Sequence, residues 1–258
     1  MLKRLRSAAW PLLVTGLPAG GSTSPAGSPA GPTPPTAVVA LVNSSSPRGN
    51  LFNGQCCGGI LVRDDLVLTA AHCVRARRPG SVDVVVGADN LCPGAPVPGR
   101  HVHVVRTLLH PRTRSGPVDA ALLILEHRVP TPAARLPAPH DAPSATGTAY
   151  GWGRDGLGGV APCRRTPVPL RFVPQERCSD AERGLGVTPP GPRTQLCARP
   201  DATATRNTCT GDSGSPVLSG GRGDTVVGIV SWGPSCRLDD VGAYVRVAAL
   251  RPWITHSE

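Results

Sequence analysis

Apolar residues in this chain come in strand-length runs separated by Gly, Pro and polar residues, and none is long enough to be a membrane-spanning helix. The runs Val38–Val42, Gly59–Val62, Leu66–Thr69, Val82–Val86, Val102–Val105 and Ala121–Leu125 predict a first set of strands. A Pro/Ala-rich stretch from Val129 to Pro143 then breaks the pattern, as an interdomain connection does. A second set follows at Thr148–Trp152, Val168–Val173, Thr194–Ala198, Pro216–Leu218, Thr225–Trp232 and Ala243–Val247, and Ala248–His256 predicts one terminal helix. The fold class is therefore all-β in two similar halves. About six strands per half suit a pair of small closed barrels, and a two-sheet sandwich would read the same way.

The amino-terminal region differs in kind. Lys3, Arg4 and Arg6 precede a short apolar stretch, Ala8–Leu17, in the manner of an export signal. Residues 18–36 are a Gly/Ser/Pro/Thr tract that cannot bury a core and reads as a linker. The expected organisation is a leader and linker over 1–36 and a folded domain over 37–258. Within it, barrel 1 covers about 37–128, barrel 2 about 144–247 and the helix about 248–256.

Composition narrows the function. The formal charge of +10 comes from 27 basic against 17 acidic residues, but the arginines are scattered and only 3% of residues are aromatic. Stacking platforms for nucleic acid are scarce, so the charge reads as a solvated surface that can steer anionic substrates. The nine cysteines do not form the paired Cys-x-x-Cys sets of a zinc site. They predict a disulfide framework and hence a secreted, extracellular protein.

Three segments carry chemistry. Thr69-Ala70-Ala71-His72-Cys73 ends a predicted strand, Asp119 opens an apolar one, and Gly211-Asp212-Ser213-Gly214-Ser215-Pro216 holds a serine among glycines. Acyl transfer needs a nucleophile, a base for its proton, and an anion that holds the base in the right tautomer. Ser213, His72 and Asp119 are those parts, and their order along the chain, His then Asp then Ser, distinguishes one triad lineage from two others. The glycines let the N–H groups of Gly211 and Ser213 converge on a developing oxyanion.

On these motifs the chain resembles the trypsin/chymotrypsin family of serine peptidases from about Val38 onward. Cys57-Gly58-Gly59, Gly151-Trp152-Gly153, Ser231-Trp232-Gly233 and Gly242-Ala243-Tyr244 extend the likeness. The resemblance implies two antiparallel six-stranded β-barrels with a C-terminal helix, and a serine endopeptidase working through an acyl-enzyme in the cleft between them. It implies that Ser231 supports Asp119, and that Asn207, Thr208, the Ser231, Trp232 and Gly233 segment and Gly242 bind substrate. It pairs Cys57 with Cys73, Cys178 with Cys197 and Cys209 with Cys236. Of the remaining cysteines we pair Cys92 with Cys163 and leave Cys56 free. The family's calcium loop corresponds to Gly87-Ala88-Asp89-Asn90-Leu91-Cys92, which is nearly bare of acidic ligands, so no metal and no cofactor are expected. The expected partners are protein or peptide substrates and protein inhibitors, with no nucleic acid, no membrane span and a monomeric chain.

Two departures matter. Asn207 is neutral where trypsin-like members carry an Asp, which predicts cleavage after neutral, large apolar residues. No Ile-Val-Gly-Gly sequence precedes the first strand, although in the family that sequence becomes an amino terminus that pairs with the Asp beside the nucleophile, here Asp212. The alternatives are thus an active endopeptidase and a non-catalytic or zymogen-locked homologue acting as a binding protein. Without a partner, Asp212 is expected to turn to solvent and leave the oxyanion hole partly disordered. The other outcome is that an arginine within the chain serves it.

Overall fold

The computed structural model describes residues 35–257, apart from short stretches at 48–49, 79, 95–98, 114–117, 139–140, 142–143, 185, 187–188 and 220–222. The leader-like segment and the linker up to residue 34 lie outside the described residues. Val/Leu-rich runs form the first six strands: β1 (Val38–Asn43), β2 (Gln55–Arg63), β3 (Leu66–Thr69), β4 (Val82–Val86), β5 (Arg100–Leu109) and β6 (Ala121–Leu125). The second six are β7 (Thr146–Gly151), β8 (Thr166–Val173), β9 (Gln195–Pro200), β10 (Pro216–Ser219), β11 (Thr225–Trp232) and β12 (Gly242–Arg246). Each set closes into its own antiparallel barrel, in the order β1-β2-β3-β6-β5-β4 and β10-β11-β12-β9-β8-β7. Closure removes every unpaired sheet edge, which a sandwich would leave exposed.

The barrels are filled by the apolar positions that defined the strands. Leu41, Ile60, Leu68, Leu122 and Leu123 are fully buried in the first barrel. Val168, Leu170, Leu196, Val217 and Val230 form a cluster in the second. The largest cluster also takes in Leu218, Val226, Ile229 and Val245 from the second barrel, so the apolar core is continuous across the seam between barrels. At about 1.5–3 kcal/mol for each fully buried side chain of this size, that seam holds the two halves in one register. The connection after β6 joins both barrels through Ala134 N–H to the Leu61 carbonyl and Arg135 N–H to the Asp224 carbonyl.

Helix α2 (Val247–His256) buries Val247, Leu250 and Ile254 and completes the seam. Helix α1 (Gln175–Gly184) has no counterpart among the elements expected from sequence. Its buried positions are Cys178, Ser179 and Glu182, so it lacks the apolar stripe that marks a helix in sequence. The Cys178–Cys197 disulfide fastens it to β9.

Three more disulfides join Cys57 to Cys73, Cys92 to Cys163 and Cys209 to Cys236. Cys56 carries a free thiol that donates to the Leu41 carbonyl at 3.5 Å. Burial pushes this thiol up from its ordinary value, which favours its protonated form.

Candidate active site

His72 sits in a single 3-10 turn, Ala71–Cys73, directly after β3, and the Cys57–Cys73 disulfide ties that turn to β2. Asp119 precedes β6, the neighbour of β3 in the barrel, so the sheet itself brings the two side chains together. Asp119 Oδ2 lies 2.6 Å from His72 Nδ1, and Oδ1 accepts the His72 backbone N–H at 2.8 Å. The carboxylate thereby fixes the ring's position twice, through its nitrogen and through its main chain.

A third contact comes from the other barrel. The β11–β12 register slips between Val230 and Trp232, which takes Ser231 out of the ladder. Ser231 Oγ donates to Asp119 Oδ2 at 2.8 Å. Burial pushes the Asp119 carboxyl up, but the His72 hydrogen bond, the His72 charge, the Ser231 hydroxyl and the His72 N–H together outweigh it. The carboxyl is held below the usual carboxylate value.

Ser213 lies on the loop between α1–β9 and β10 and is pinned from the opposite barrel, where Gly58 N–H donates to its carbonyl at 2.8 Å. A Cβ on Gly58 would lie 2.0 Å from Ser215 Oγ, so only glycine lets the two barrels approach this closely. Among the described residues no hydrogen bond joins Ser213 Oγ to His72; such links are often long in ligand-free sites and tighten with substrate.

The main chain around the serine has an alternating pattern. Asp212 N–H donates to the Cys209 carbonyl and Gly214 N–H to the Val230 carbonyl, both within 2.9 Å. The intervening N–H groups of Gly211 and Ser213 go to no acceptor among the described residues. Gly211 adopts φ +98 and Gly214 φ +78, the left-handed region that this alternation requires. The Gly211 carbonyl is taken by Gln55 Nε2 at 3.0 Å, which orients the Gly211–Asp212 peptide unit.

Asp212 corrects an expectation. It is only 1% exposed, not turned to solvent. Arg206 supplies the partner: its Nη1 lies 2.5 Å from Oδ2 and its Nη2 3.2 Å from Oδ1. Gly153 N–H and Cys209 N–H complete the carboxylate at 2.8 and 3.0 Å. A buried carboxylate with this complement of donors has no reason to leave, and it anchors the 211–214 main chain.

Below the loop, Asn207 is buried and fully engaged. Its Nδ2 donates to the Arg237 and Asp240 carbonyls and its Oδ1 accepts the Thr208 N–H at 2.7 Å. Thr208 Oγ1 meets Tyr244 Oη at 3.0 Å, and burial pushes the Tyr244 phenol well up, so it stays neutral. The Asp240 carboxylate is bonded to Ser235 Oγ and to Arg237 N–H. Gly233 has open space where a Cβ would stand, whereas a Cβ on Gly242 would come 3.0 Å from Tyr244 Oη.

Two places could be mistaken for metal sites. Cys57, His72 and Cys73 offer ligand-type atoms within 4.8 Å of one another, but both sulfurs are spent in the disulfide. In the 87–92 loop, Asp89 is ion-paired to the buried Arg165, and Cys92–Cys163 closes the same contact. A guanidinium thus stands beside the one acidic side chain of that loop. Arg206 and Gln55 were not singled out from sequence, and Gly153 was read only as part of a motif, not as a donor to Asp212; a buried arginine has the same letter as the many exposed ones.

A family model described as Trypsin matches residues 26–254. Among curated proteins the chain is 33% identical to trypsin zeta of Drosophila erecta, across 81% of this chain and 75% of that one. It is 32% identical to trypsin iota of Drosophila melanogaster, across 77% of each. Trypsin alpha-4 of Lucilia cuprina is 30% identical across 77% of this chain and 76% of its own length.

Proposed function

Because this chain belongs to the trypsin family and is a serine-type endopeptidase, we propose that it cleaves peptide bonds through Ser213, His72 and Asp119, after neutral and preferentially large apolar P1 residues. The observation that carries this reading is the continuous hydrogen-bonded set Ser231–Asp119–His72, together with a Ser213 loop whose Gly211 and Ser213 N–H groups have no acceptor among the described residues.

The chemistry follows from those positions. Ser213 Oγ attacks the scissile carbonyl carbon while its proton passes to His72 Nε2. The imidazolium formed is stabilised by Asp119, whose carboxyl stays ionised. The carbonyl oxygen gains negative charge between the Gly211 and Ser213 N–H groups; losing one such donor typically costs about 3–4 kcal/mol in the transition state. His72 then protonates the leaving amine, and water resolves the acyl-enzyme by the same route. The Ser231, Trp232 and Gly233 segment pairs with the substrate backbone as an added strand.

Specificity rests on Asn207. A Lys or Arg side chain entering the pocket would shed its water against an amide already committed to Arg237, Asp240 and Thr208. Asp240 is likewise committed to its own loop. A desolvated charge without an anion is disfavoured. Profiling with a peptide library should show neutral apolar P1 residues preferred over Arg and Lys by about tenfold or more in kcat/KM. A profile dominated by basic P1 residues would refute the specificity.

The described residues contain no helix long and apolar enough to cross a membrane. Four disulfides, which persist in oxidising compartments, support export of the chain and action on extracellular proteins; we propose that it acts as a monomer open to protein inhibitors.

A further inference from the structure

We infer that Arg206 is the positioning residue that makes this peptidase competent without a freed amino terminus, an inference that rests on Ser213 being the nucleophile. In the family the chain resembles, the carboxylate beside the nucleophile is held inward by a new terminal ammonium. Here every acceptor site of that carboxylate is filled from within the chain.

The guanidinium is built into place rather than swung onto Asp212 from the surface. Arg206 is 6% exposed, and each of its three nitrogens has a partner. Nε donates to Thr166 Oγ1 at 2.9 Å, Nη2 lies 3.4 Å from the Thr166 carbonyl, and Nη1 also reaches the Asn207 carbonyl at 3.2 Å. Thr166 opens β8, and Gly153, the other donor to Asp212 Oδ1, follows β7. The ion pair is therefore bolted to two adjacent strands of the second barrel.

No room remains for a second cation on the Gly153 side. A Cβ on Gly153 would lie within 2.2 Å of the Asp212 carboxylate carbon, and one on Gly151 within 2.2 Å of Oδ1. Cys209 N–H covers Oδ2 from the loop itself. A planar, bidentate guanidinium matches a carboxylate better than an ammonium does.

The link to catalysis is short. With Asp212 inward, its own N–H and carbonyl are taken by Cys209 and Ser215, at 2.9 Å each. The alternation leaves the Gly211 and Ser213 N–H groups, on either side of Asp212, without an acceptor among the described residues. Releasing Asp212 would let this alternation collapse, so Arg206 acts on the oxyanion site through Asp212 and touches no substrate.

The test compares the intact chain, its mass confirmed and its amino terminus acetylated, with Arg206→Gln, Arg206→Lys and Ser213→Ala on a neutral-P1 peptide substrate. The acetylated chain should turn over as fast as any proteolytically shortened form. Arg206→Gln should keep KM within a few-fold and lose roughly 10²–10³ in kcat, the scale of a lost oxyanion donor. Arg206→Lys, which keeps the charge but loses the bidentate geometry, should fall between, and Arg206→Ala should regain turnover when methylguanidinium is added. Turnover that appears only after a free amino terminus is generated, or Arg206→Gln with unchanged kcat, would overturn the role of Arg206 while leaving Ser213 as nucleophile. If no variant folds, the acetylated wild-type chain decides by itself. Turnover that survives in Ser213→Ala would instead strike the functional reading on which this inference depends.

Discussion

Replacing Ser213 or His72 by Ala should each lower kcat by roughly six orders of magnitude, and the double variant should be no worse than either single one. The non-additivity is the informative part. His72 has nothing to deprotonate once the Ser213 hydroxyl is gone, and the hydroxyl is a poor nucleophile once the imidazole is gone. A residual acceleration on the order of 10³–10⁴ over water should survive, because the Gly211 and Ser213 N–H groups and the substrate strand are untouched. The fold should survive too. The Ser213 carbonyl, not its side chain, holds Gly58, and the His72 turn is closed by the Cys57–Cys73 disulfide. Steady-state kinetics with one peptide substrate, beside thermal melts of each variant, measures both.

Asp119→Asn should be the next most damaging change, at about 10⁴ in kcat. Asp119 only accepts hydrogen bonds, and it takes three, from His72 Nδ1, His72 N–H and Ser231 Oγ. An asparagine keeps the shape but can present its amide N–H to Nδ1, which places the ring proton on Nε2 and removes the base facing Ser213. The same carboxyl makes stability depend on pH. Held below the ordinary value in the folded state, it adds stability above its unfolded pKa of about 3.9, and that stability is lost as pH falls through the lower folded value. Asp119→Asn lacks this contribution at every pH. The gap in Tm between wild type and variant should therefore be largest near neutrality and shrink as the medium is acidified below about pH 4. A gap that stays constant down to strongly acid pH would mean that the Asp119 contacts contribute no ionic stability.

How much of this could be read in the sequence depends on what each residue's type reveals. Val38–Asn43, Leu66–Thr69, Val82–Val86 and Ala121–Leu125 are apolar enough to announce buried strands without help. β5 runs from Arg100 to Leu109, well past the apolar run Val102–Val105, and its exposed positions include His103, Arg106 and Thr107. The ladder to β4 and β6 sets its length, and polar letters hide it. Helix α1 was invisible for the opposite reason: Cys178 and its disulfide anchor it, and periodicity plays little part. The His72, Asp119 and Ser213 motifs were legible because their chemistry is carried by residue type and order. Arg206 was not, since nothing local separates the one arginine that β7 and β8 bury against Asp212 from those left in solvent. The expectation of a solvated Asp212 failed on that point alone, and the glycines that crowd its carboxylate acquire meaning only once the barrels are closed.

The most direct test of the account is the site at which a fluorophosphonate probe reacts. The intact wild-type chain should gain one phosphonyl group per molecule, located on Ser213 by peptide mapping, and Ser213→Ala should gain none. A folded wild-type chain with its four disulfides formed that stays unmodified at Ser213, or takes the label elsewhere, would contradict it.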